Sequence, residues 1–592
     1  MEKRVVIFLI LSLAIIFSYD FLLKQLGLIP DAPALDQIFE EKFPSDGTAV
    51  TEPFSRGDAG EGGLPLGEEA GDQPTLEELA DIETPLFHTQ ISNRGGVIRS
   101  WKLKHYLTQD PEDASPVELV YSEGNFPGPL SLYLPDPELT KLLREGLYDV
   151  QQDFTNLHDR HPTGHLTYTY RIPERGIWVQ KELTFHHDSY LVDVTIKVQG
   201  IGDEVGVLLG TNFGVLLEPG GGPGQKFIGH NGPAWMIGDV LEKEDPDPDE
   251  PEIQRTGDIR WVALQDKYFI TAIITEEATK VFARTEAERV VTVGVGFPSN
   301  RGTQPLSFGL YAGPKRFKTL KAYDIGLEDT IDFGWFIYGT WRIVEFVAKP
   351  LFYVLQFIYD YTQNFGVAII LLTCGIKLLF VPLQYKSYKS MQGMQKVQPK
   401  VAALQAKFKD DREKLNKELI NLYKEHKVNP VGGCLPMLVQ MPFFISLFNI
   451  LYMTVEMRQA PFILWISDLS VPDPYYVFPI LMGVSMVVQQ KIMPTTMDPT
   501  QAKMMLMLPV FLTFLFLTFP AGLVLYWFTN NVLTIAQQFI TDRFILKRPT
   551  FSQPTTQAEE PSPNAKEDGQ GIGKIRRGKG KLKKSEKAEP RA

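Results

Sequence analysis

One basic residue lies inside a long apolar stretch of the chain, where a charge is unexpected. Residues 365–385 are apolar over about twenty positions, the length of a helix that crosses a bilayer. Lys377 lies in this stretch, and Thr373, one helical turn earlier, shares its face. Because a charge at the middle of a spanning helix costs roughly 2.5–3.5 kcal/mol, its position needs an explanation. Either the ammonium reaches the headgroups along its flexible stem, or it serves a function inside the membrane.

The composition divides the chain into a water-exposed part and a membrane part. Its 592 residues are too many for one compact domain, and the net charge of −12 hides an uneven distribution. Residues 31–329 are rich in acids, whereas the segment after Lys386 and the tail after Lys574 are basic. The two cysteines, Cys374 and Cys434, lie in or beside apolar stretches, which argues against a disulfide framework. The nine histidines show no metal-ligand spacing, so we expect neither a metal nor a cofactor.

The beginning of the chain is typical of a signal anchor. Lys3 and Arg4 precede an apolar run at residues 5–19, and no small-residue cleavage site follows that run. We predict an uncleaved transmembrane helix over residues 1–24 with a cytoplasmic N-terminus, and a cleaved signal peptide is the alternative. Residues 25–84 are rich in Pro, Gly, Asp and Glu, which predicts a flexible acidic linker.

The next segment, residues 85–325, has the alternating pattern of a β-protein. Short runs such as residues 165–172 and 190–197 alternate apolar and polar side chains, and glycine-rich turns separate them. They predict a large all-β sandwich outside the membrane. The glycine cluster at residues 220–224 lacks both the context and the ending of a phosphate loop. A sandwich of this size is compatible with sugar binding, but no residue cluster argues for it.

The remaining chain alternates apolar stretches with charged connectors. Residues 326–362 mix aromatic and charged side chains, which predicts an amphipathic helix in the membrane interface. Residues 363–545 predict a core of five transmembrane helices and, at residues 386–428, a basic helical hairpin. Residues 546–592 predict a disordered basic tail. The apolar segments of the core are residues 365–385, 431–455, 475–488, 504–519 and 523–540.

These elements predict a topology as well as a fold class. The fold class is a membrane α-helical bundle of six transmembrane helices, counting the N-terminal anchor, plus the exported all-β sandwich. Cytoplasmic loops carry an excess of Lys and Arg, so the basic hairpin is predicted to lie in the cytoplasm. Six crossings then place both termini in the cytoplasm as well.

Polar side chains recur within the predicted transmembrane helices. Such residues usually face the bundle interior or a hydrated cavity, and some serve only as hydrogen bonds between helices. The deep parts of these helices contain no acid that could neutralise Lys377. We therefore infer a hydrophilic cavity in the cytoplasmic half of the membrane. The acidic partner of Lys377 would then come from another molecule. The polar residues are Thr373, Lys377, Gln440, Asn449, Gln490, Asn530 and Asn531.

A small-solute transporter and an intramembrane enzyme are the two alternatives to a protein that binds a client in such a cavity. A small-solute transporter would require inverted repeats and broken helices with binding residues at the bilayer midplane. The sequence shows no internal repeat, and a large exported sandwich fits such a transporter poorly. An intramembrane enzyme would require a catalytic pair, and the predicted deep helices contain no Asp, Glu or His. We therefore predict a protein that performs no covalent chemistry.

The C-terminal half contains a series of specific motifs that resemble one family. These motifs are residues 429–436 (NPVGGCLP), 440–442 (QMP), 458–462 (RQAPF), 473–476 (DPYY), 479–483 (PILMG), 494–496 (PTT) and 519–526 (FPAGLVLY). In this order they are similar to those of the YidC-type membrane protein insertases. Looser matches at residues 91–98 and 261–265 resemble the large periplasmic domain of Gram-negative members.

The resemblance implies a mechanism in which a groove, open to cytoplasm and lipid, receives part of a nascent membrane protein. One positive charge in the groove attracts the polar or acidic tail of that protein. Family members typically carry this charge on an Arg five residues before a proline, and counting back from Pro382 gives Lys377. Lys keeps the charge but lacks the planar fork of Arg. Thr373 and Trp527 lie where members contact the substrate helix. The predicted groove residues are Thr373, Lys377, Gln440, Trp527 and Asn530.

The resemblance also implies partners and a location. The protein would act on nascent membrane proteins as an insertase and chaperone of the inner membrane, alone or with the Sec translocon. The basic run Lys574–Lys587, together with the hairpin, predicts ribosome binding through neutralisation of RNA phosphates. Attraction of this run to anionic lipid headgroups is the alternative.

Overall fold

A computed structural model of the chain describes sixteen stretches of the sequence, and the first of them begins at residue 74. The predicted anchor, most of the linker, the glycine cluster at residues 220–224 and the basic tail lie outside them. Residues 1–538 group into one compact unit and residues 539–592 into another. The described residues are 74, 76–108, 114–121, 124, 126–201, 204–215, 230–246, 251–287, 290–298, 305–334, 342–408, 411–426, 428, 435–492, 507–541 and 543.

The first half of the described chain is built almost entirely of strands, which confirms the predicted all-β domain. In strands such as Ile177–His186, buried positions alternate with half-buried ones, as the two-residue repeat predicts, whereas every position of Val205–Thr211 is buried. The strands are Leu79–Glu83 (β1), Phe87–Ser92 (β2), Val97–Leu107 (β3), Pro116–Glu118 (β4), Leu132–Tyr133 (β5), Asp149–Gln152 (β6), Thr163–Ile172 (β7), Ile177–His186 (β8), Leu191–Gln199 (β9), Val205–Thr211 (β10), Gly232–Ile237 (β11), Val240–Lys243 (β12), Glu252–Thr256 (β13), Ile259–Gln265 (β14), Phe269–Ile274 (β15), Lys280–Ala287 (β16), Val290–Phe297 (β17) and Leu306–Pro314 (β18).

These strands form three antiparallel sheets. Their orders are β1-β2-β3-β4, β13-β16-β17-β10-β5 and β12-β11-β14-β15-β18-β9-β8-β7-β6. The five-stranded sheet packs on the part of the nine-stranded sheet near β12, where β10, β16 and β17 meet β11, β14 and β15. Trp101, Trp235 and Trp261 are fully buried in the core. Burial of apolar side chains between layers is the main force that holds such a domain together.

The β-sandwich begins earlier than the sequence indicates. Strand β1 lies within residues 25–84, the segment predicted to be a flexible linker. Ala80 and Ile82 are buried, while Leu79 and Asp81 are exposed. Because β1 is an edge strand, acidic side chains are tolerated at its exposed positions. These acids make the short strand resemble the acidic linker in the sequence.

Helices account for most of the second half of the described chain. A short helix follows β5, another follows β18, and seven more run from Arg342 onward. They are Pro137–Glu145 (α1), Phe317–Ala322 (α2), Arg342–Thr362 (α3), Phe365–Lys407 (α4), Arg412–Glu425 (α5), Leu435–Met453 (α6), Val477–Ile492 (α7), Met507–Leu515 (α8) and Ala521–Ile540 (α9).

Helix α3 has the two faces that an interfacial helix requires. Within the predicted segment 326–362, Leu327–Thr330 forms a 3-10 turn and the described helix runs over Arg342–Thr362. Phe346, Phe357 and Tyr361 are 78%, 60% and 77% exposed, whereas the opposite face is buried on the rest of the protein. An exposed aromatic face of this kind suits the boundary between headgroups and acyl chains.

Helix α4 joins the first apolar segment to the first arm of the basic hairpin without a break. Asn364 caps its N-terminus by accepting a hydrogen bond from Val367 N, and the helix continues for 43 residues. Pro382 and Pro399 lie within it. Asp411 caps α5, the second arm, by accepting from Lys414 N. The first basic arm is therefore continuous with the apolar helix, and the second arm is a separate helix.

Within the described residues, α4 is the one helix that is both long and apolar enough to cross a membrane. Three shorter apolar helical stretches follow it, at Leu438–Met453, Val477–Ile492 and Met507–Thr518. Helices thus occur in all five segments predicted for the core. The count of six transmembrane helices stays a prediction.

Hydrogen bonds as well as packing hold helix α6 and the loop after it in place. Asn449 in α6 donates to the carbonyl oxygen of Phe333 over 2.7 Å, and Ser446 donates to that of Val344 in α3 over 2.8 Å. Farther along the chain, Arg458 joins this part to the β-sandwich by donating to the carbonyl oxygen of Leu107 at the end of β3 over 2.5 Å. These bonds satisfy polar groups that packing has removed from water.

Candidate functional site

A pocket of about 340 Å³ lies among helices α4, α6 and α9, and we call it the groove pocket. Each helix presents one face to it through residues three or four positions apart, because such residues are neighbours on a helix surface. All five residues predicted from the sequence to form a groove line this one pocket. Its lining is Thr373, Ile376, Lys377, Gln440, Met441, Phe443, Phe444, Tyr526, Trp527 and Asn530.

Lys377 supplies the positive charge of the groove pocket. Its side chain is 8% exposed, and Nζ donates a 2.7 Å hydrogen bond to Oγ1 of Thr534 on α9. The hydroxyl of Thr534 donates in turn to the carbonyl oxygen of Asn530 over 2.7 Å. Within the described part of the chain, no acidic side chain forms an ion pair with Lys377. Its charge is solvated by a neutral hydroxyl and is not cancelled.

Thr373 lies one turn before Lys377 and is almost fully buried. Its hydroxyl donates to the carbonyl oxygen of Ile369 over 2.6 Å, the usual bond of a threonine within a helix. With its proton engaged in that bond, the oxygen presents its remaining lone pair toward the pocket as an acceptor. Thr373 and Lys377 therefore offer an acceptor and a charged donor side by side.

Aromatic rings form the other part of the groove pocket. The ring of Trp527 makes edge contacts with Phe444 and Phe516, with centroids 4.8 Å and 4.6 Å apart. Phe443 makes a similar contact with Phe380 at 5.0 Å. Such edge-to-face pairs hold rings in fixed orientations. The pocket therefore combines polar groups with a rigid apolar wall. Of the rings in this wall, Trp527 was predicted from the sequence to lie in the groove, and Phe443 and Phe444 were not.

Two functional candidates were missed from the sequence. Thr534, the partner of Lys377, lies four residues after Asn530 and seven after Trp527, so it shares their helix face. That spacing is the signal that would have revealed it. Tyr526 also lines the groove pocket, but its aromatic side chain resembles an ordinary lipid-facing residue in an apolar helix.

Two of the other polar residues within the helices bind neighbouring elements. Asn531 donates to Oγ of Ser485 on α7 over 3.1 Å, and Asn449 bonds to the backbone of Phe333. Both residues are buried outside the groove pocket. They fit the structural alternative in which such groups hold helices together. In the described residues, no group of three or more metal-ligating side chains is found.

Comparison with known proteins bears on the identity of the chain. The profile of the 60Kd inner membrane protein family matches residues 357–548, and the YidC periplasmic domain matches residues 79–354. The membrane protein insertase YidC of Geotalea daltonii is 38% identical over 561 residues, which cover 91% of this chain and 98% of that protein. The chain belongs to the YidC family of membrane protein insertases.

Further similarities agree with this family membership. The YidC insertase of Geobacter sp. strain M21 is 40% identical over 78% of this chain and 85% of its own length. A solved structure titled as an active YidC insertase with its first transmembrane domain aligns over 78% of this chain and 94% of that one. That alignment has 19% identity and a TM-score of 0.33, so the membership rests on sequence.

The family resemblance read from the motifs is thus confirmed, and the β-sandwich corresponds to the family's periplasmic domain. The match to this domain begins at residue 79, where strand β1 also begins. The groove pocket lies within residues 357–548, the part that matches the inner membrane protein profile.

Proposed function

We propose that this protein inserts nascent membrane proteins into the inner membrane, and that Lys377 in the groove pocket attracts a polar or acidic segment of each client. The observation that supports it is the convergence of three helices on one buried cation with a neutral partner. The relatives that cover most of this chain are named as membrane protein insertases.

The electrostatic argument depends on the burial of Lys377. A buried charge interacts more strongly with an opposite charge than one in water, since surrounding water no longer screens the pair. A client carboxylate would replace the hydroxyl of Thr534 as the partner of Nζ and gain a charge-assisted hydrogen bond. The energetic cost of moving that carboxylate away from water falls accordingly.

The aromatic wall serves the apolar part of the same client. Trp527 and Phe444 present ring surface to the groove pocket, where the polar flank and the apolar helix of a client would arrive together. Contact with apolar ring surface lets the client's helix leave water before it reaches the acyl chains. The protein needs no covalent step in this mechanism, because its task is to lower a transfer barrier.

The proposed topology places the hairpin and both termini in the cytoplasm and the β-sandwich in the periplasm. Support comes from the basic side chains of the hairpin and from the exposed aromatic face of α3, which lies between sandwich and core. Six membrane crossings, the Sec translocon as a partner, and ribosome contact through the hairpin and Lys574–Lys587 belong to this proposal.

A charge series at Lys377 tests the proposed function. Lys377→Arg, Lys377→Gln and Lys377→Glu are reconstituted separately in liposomes without other translocation factors, and insertion of a client with a short acidic exported tail is measured. We expect Arg to preserve insertion, and Gln and Glu to lower it at least tenfold, which corresponds to about 1.4 kcal/mol.

The matched control is Lys386→Gln, which removes the same charge from an exposed position on the same helix. It should insert the client at the rate of the unaltered protein. Normal insertion by all three Lys377 variants would show that the ammonium of Lys377 extends to the lipid headgroups and has no role in insertion. A uniform loss across the series and the control would point to damage of the helix and would also contradict the specific role of Lys377.

A further inference from the structure

A second and larger pocket, of about 490 Å³, lies where the β-sandwich meets the helical core. We call it the junction pocket. It is bounded by the end of β3, by α2, by the last turns of α3 and by the loop at residues 455–461. Unlike the groove pocket, it contains charges of both signs. Its charged or ionisable lining includes Tyr106, Arg316, Lys318, Asp360, Glu456 and Arg458.

Glu456 contributes a carboxyl group to the lining of this pocket. Its Oε1 accepts a hydrogen bond from Phe317 N over 3.2 Å. Its Oε2 is buried and has no hydrogen-bond partner within the described residues. A buried carboxylate oxygen without a donor is costly, so this position favours a ligand that brings an N–H group. A primary amine satisfies that requirement, whereas a quaternary ammonium does not.

Two guanidinium groups line the same pocket. Arg316 Nε donates to the hydroxyl of Tyr106 over 2.8 Å, and Arg458 Nη2 donates to the carbonyl oxygen of Leu107. The Nε of Arg458 is buried and has no hydrogen-bond partner in the described part of the chain. Since a guanidinium carries five donors in a fixed fork, both residues have groups suited to a phosphate.

The membrane side of the junction pocket is the interfacial helix α3. Gln356 and Asp360 line the pocket, while Phe357 and Tyr361 lie about 100° round the same helix and are largely exposed. A ligand with a polar end and apolar chains can therefore place its polar end in the pocket and its chains on the adjacent aromatic face. Lys318 and Asp360 form an exposed ion pair of 3.2 Å at this edge.

We propose that the junction pocket binds the headgroup of a phospholipid that bears a primary amine, such as phosphatidylethanolamine. The ammonium lies against Glu456, the phosphate lies against Arg316 and Arg458, and the acyl chains follow the exposed face of α3. The lipid then joins α2, at the end of the β-sandwich, to the loop that follows α6. This site is separate from the groove pocket and does not depend on the insertion mechanism.

Retention of lipids by the purified full chain tests this proposal. The protein in detergent is titrated with dioleoyl phosphatidylethanolamine or with dioleoyl phosphatidylcholine, and bound lipid is counted by native mass spectrometry. We expect about tenfold tighter binding of the amine lipid, the effect of one hydrogen bond to a charged group. Equal binding of both lipids would overturn the proposal.

Single substitutions test which residues of the junction pocket determine the preference for the amine lipid. Glu456→Gln should bring the ratio of the two affinities close to one, and Arg316→Lys should weaken both lipids, because the fork that holds phosphate is lost. Lys321→Gln is the matched control, since Lys321 is on α2 but outside the pocket lining. Two outcomes would contradict the assignment of the ammonium to Glu456. One is an unchanged ratio of lipid affinities in Glu456→Gln, and the other is an equal fall of this ratio in the control Lys321→Gln.

Two further measurements keep the result unambiguous. Phosphoethanolamine without acyl chains should compete at least tenfold more weakly than the lipid, and equal competition would show that the site takes a soluble ligand. The elution profile and melting temperature of each variant are compared with those of the unaltered protein. If Glu456→Gln does not fold, Arg316→Lys still tests the phosphate contact, and an unchanged affinity for both lipids in that variant would then oppose the proposal.

Discussion

Lys377 on α4 donates its hydrogen bond to Thr534 on α9, a residue 157 positions later in the chain. The bond closes one side of the groove pocket and joins two helices that the sequence separates by the hairpin and three further helices. Because Thr534 is neutral, it stabilises the ammonium without cancelling its charge. The charge therefore remains available to an acidic partner from outside the chain.

Substitutions of Thr534 should show whether its bond to Lys377 is needed for the stability of the helical core, for insertion, or for both. Thr534→Val keeps the shape of the side chain but removes the acceptor of Lys377, so we expect a loss of about 1–3 kcal/mol in stability. Insertion of an acidic-tailed client should persist, since the charge is still present. Thr534→Glu should instead abolish insertion, because an internal carboxylate would occupy Lys377.

Thermal unfolding in detergent and insertion in liposomes are measured for both variants. Asn531→Ala is the control, since it breaks a hydrogen bond of the same helix to Ser485 on α7 and leaves the bond between Lys377 and Thr534 in place. It should lower stability without a specific effect on acidic clients. Full insertion by Thr534→Glu would show that Lys377 does not pair with client acids.

Two glycines on α4 should respond in opposite ways to a methyl group. A Cβ added at Gly366 would lie 2.1 Å from a ring carbon of Phe462, so that ring or the helix must shift. Gly366→Ala should cost about 1–3 kcal/mol of stability. At Gly375 an added Cβ meets no atom of the described residues within 4 Å. Gly375→Ala should therefore be neutral or stabilise the helix by up to about 1 kcal/mol.

The melting temperature of each glycine variant, measured in the same detergent, checks this pair of expectations. Gly366 also lies next to Asn364, whose side-chain amide donates to the carbonyl oxygen of Phe462 over 2.9 Å and anchors the loop. An equal effect of the two substitutions would mean that the helix end is free to move away from Phe462.

The junction between sandwich and core should weaken as the pH rises. Burial raises the pKa of Glu456 from 4.5 to about 7, against the opposing charges of Arg316 and Lys318. Between these values the folded chain binds more protons than the unfolded chain, so the free energy of unfolding falls as the pH increases. We expect a loss on the order of 2 kcal/mol between pH 4.5 and pH 8.

Hydrogen exchange at the amide of Phe317, which donates to Glu456, reports on this junction directly. After correction for the intrinsic pH dependence of exchange, protection should be lower at pH 8 than at pH 5 in lipid-free detergent. Glu456→Gln should remove the difference. Protection that increases with pH in the unaltered protein would show that the carboxylate is stabilised in its ionised form.

The sequence determined the kinds of element and five of the residues of the groove pocket. A repeat of two residues predicted strands, and long apolar runs predicted helices, because these patterns follow from backbone geometry alone. The motifs identified the family, and the resemblance pointed to Thr373, Lys377 and Trp527, while Gln440 and Asn530 followed from their polar side chains within apolar helices. Strand β1 escaped detection because acids on its exposed face resemble a linker.

Only the tertiary structure decided which distant residues meet. The pairing of Lys377 with Thr534, the aromatic wall beside them and the junction pocket all join segments that are far apart in sequence. Local periodicity shows which face of a helix is apolar, but not which neighbour covers that face. Packing between helices and sheets decides this, because each buried polar group must find its partner among the surfaces that close around it.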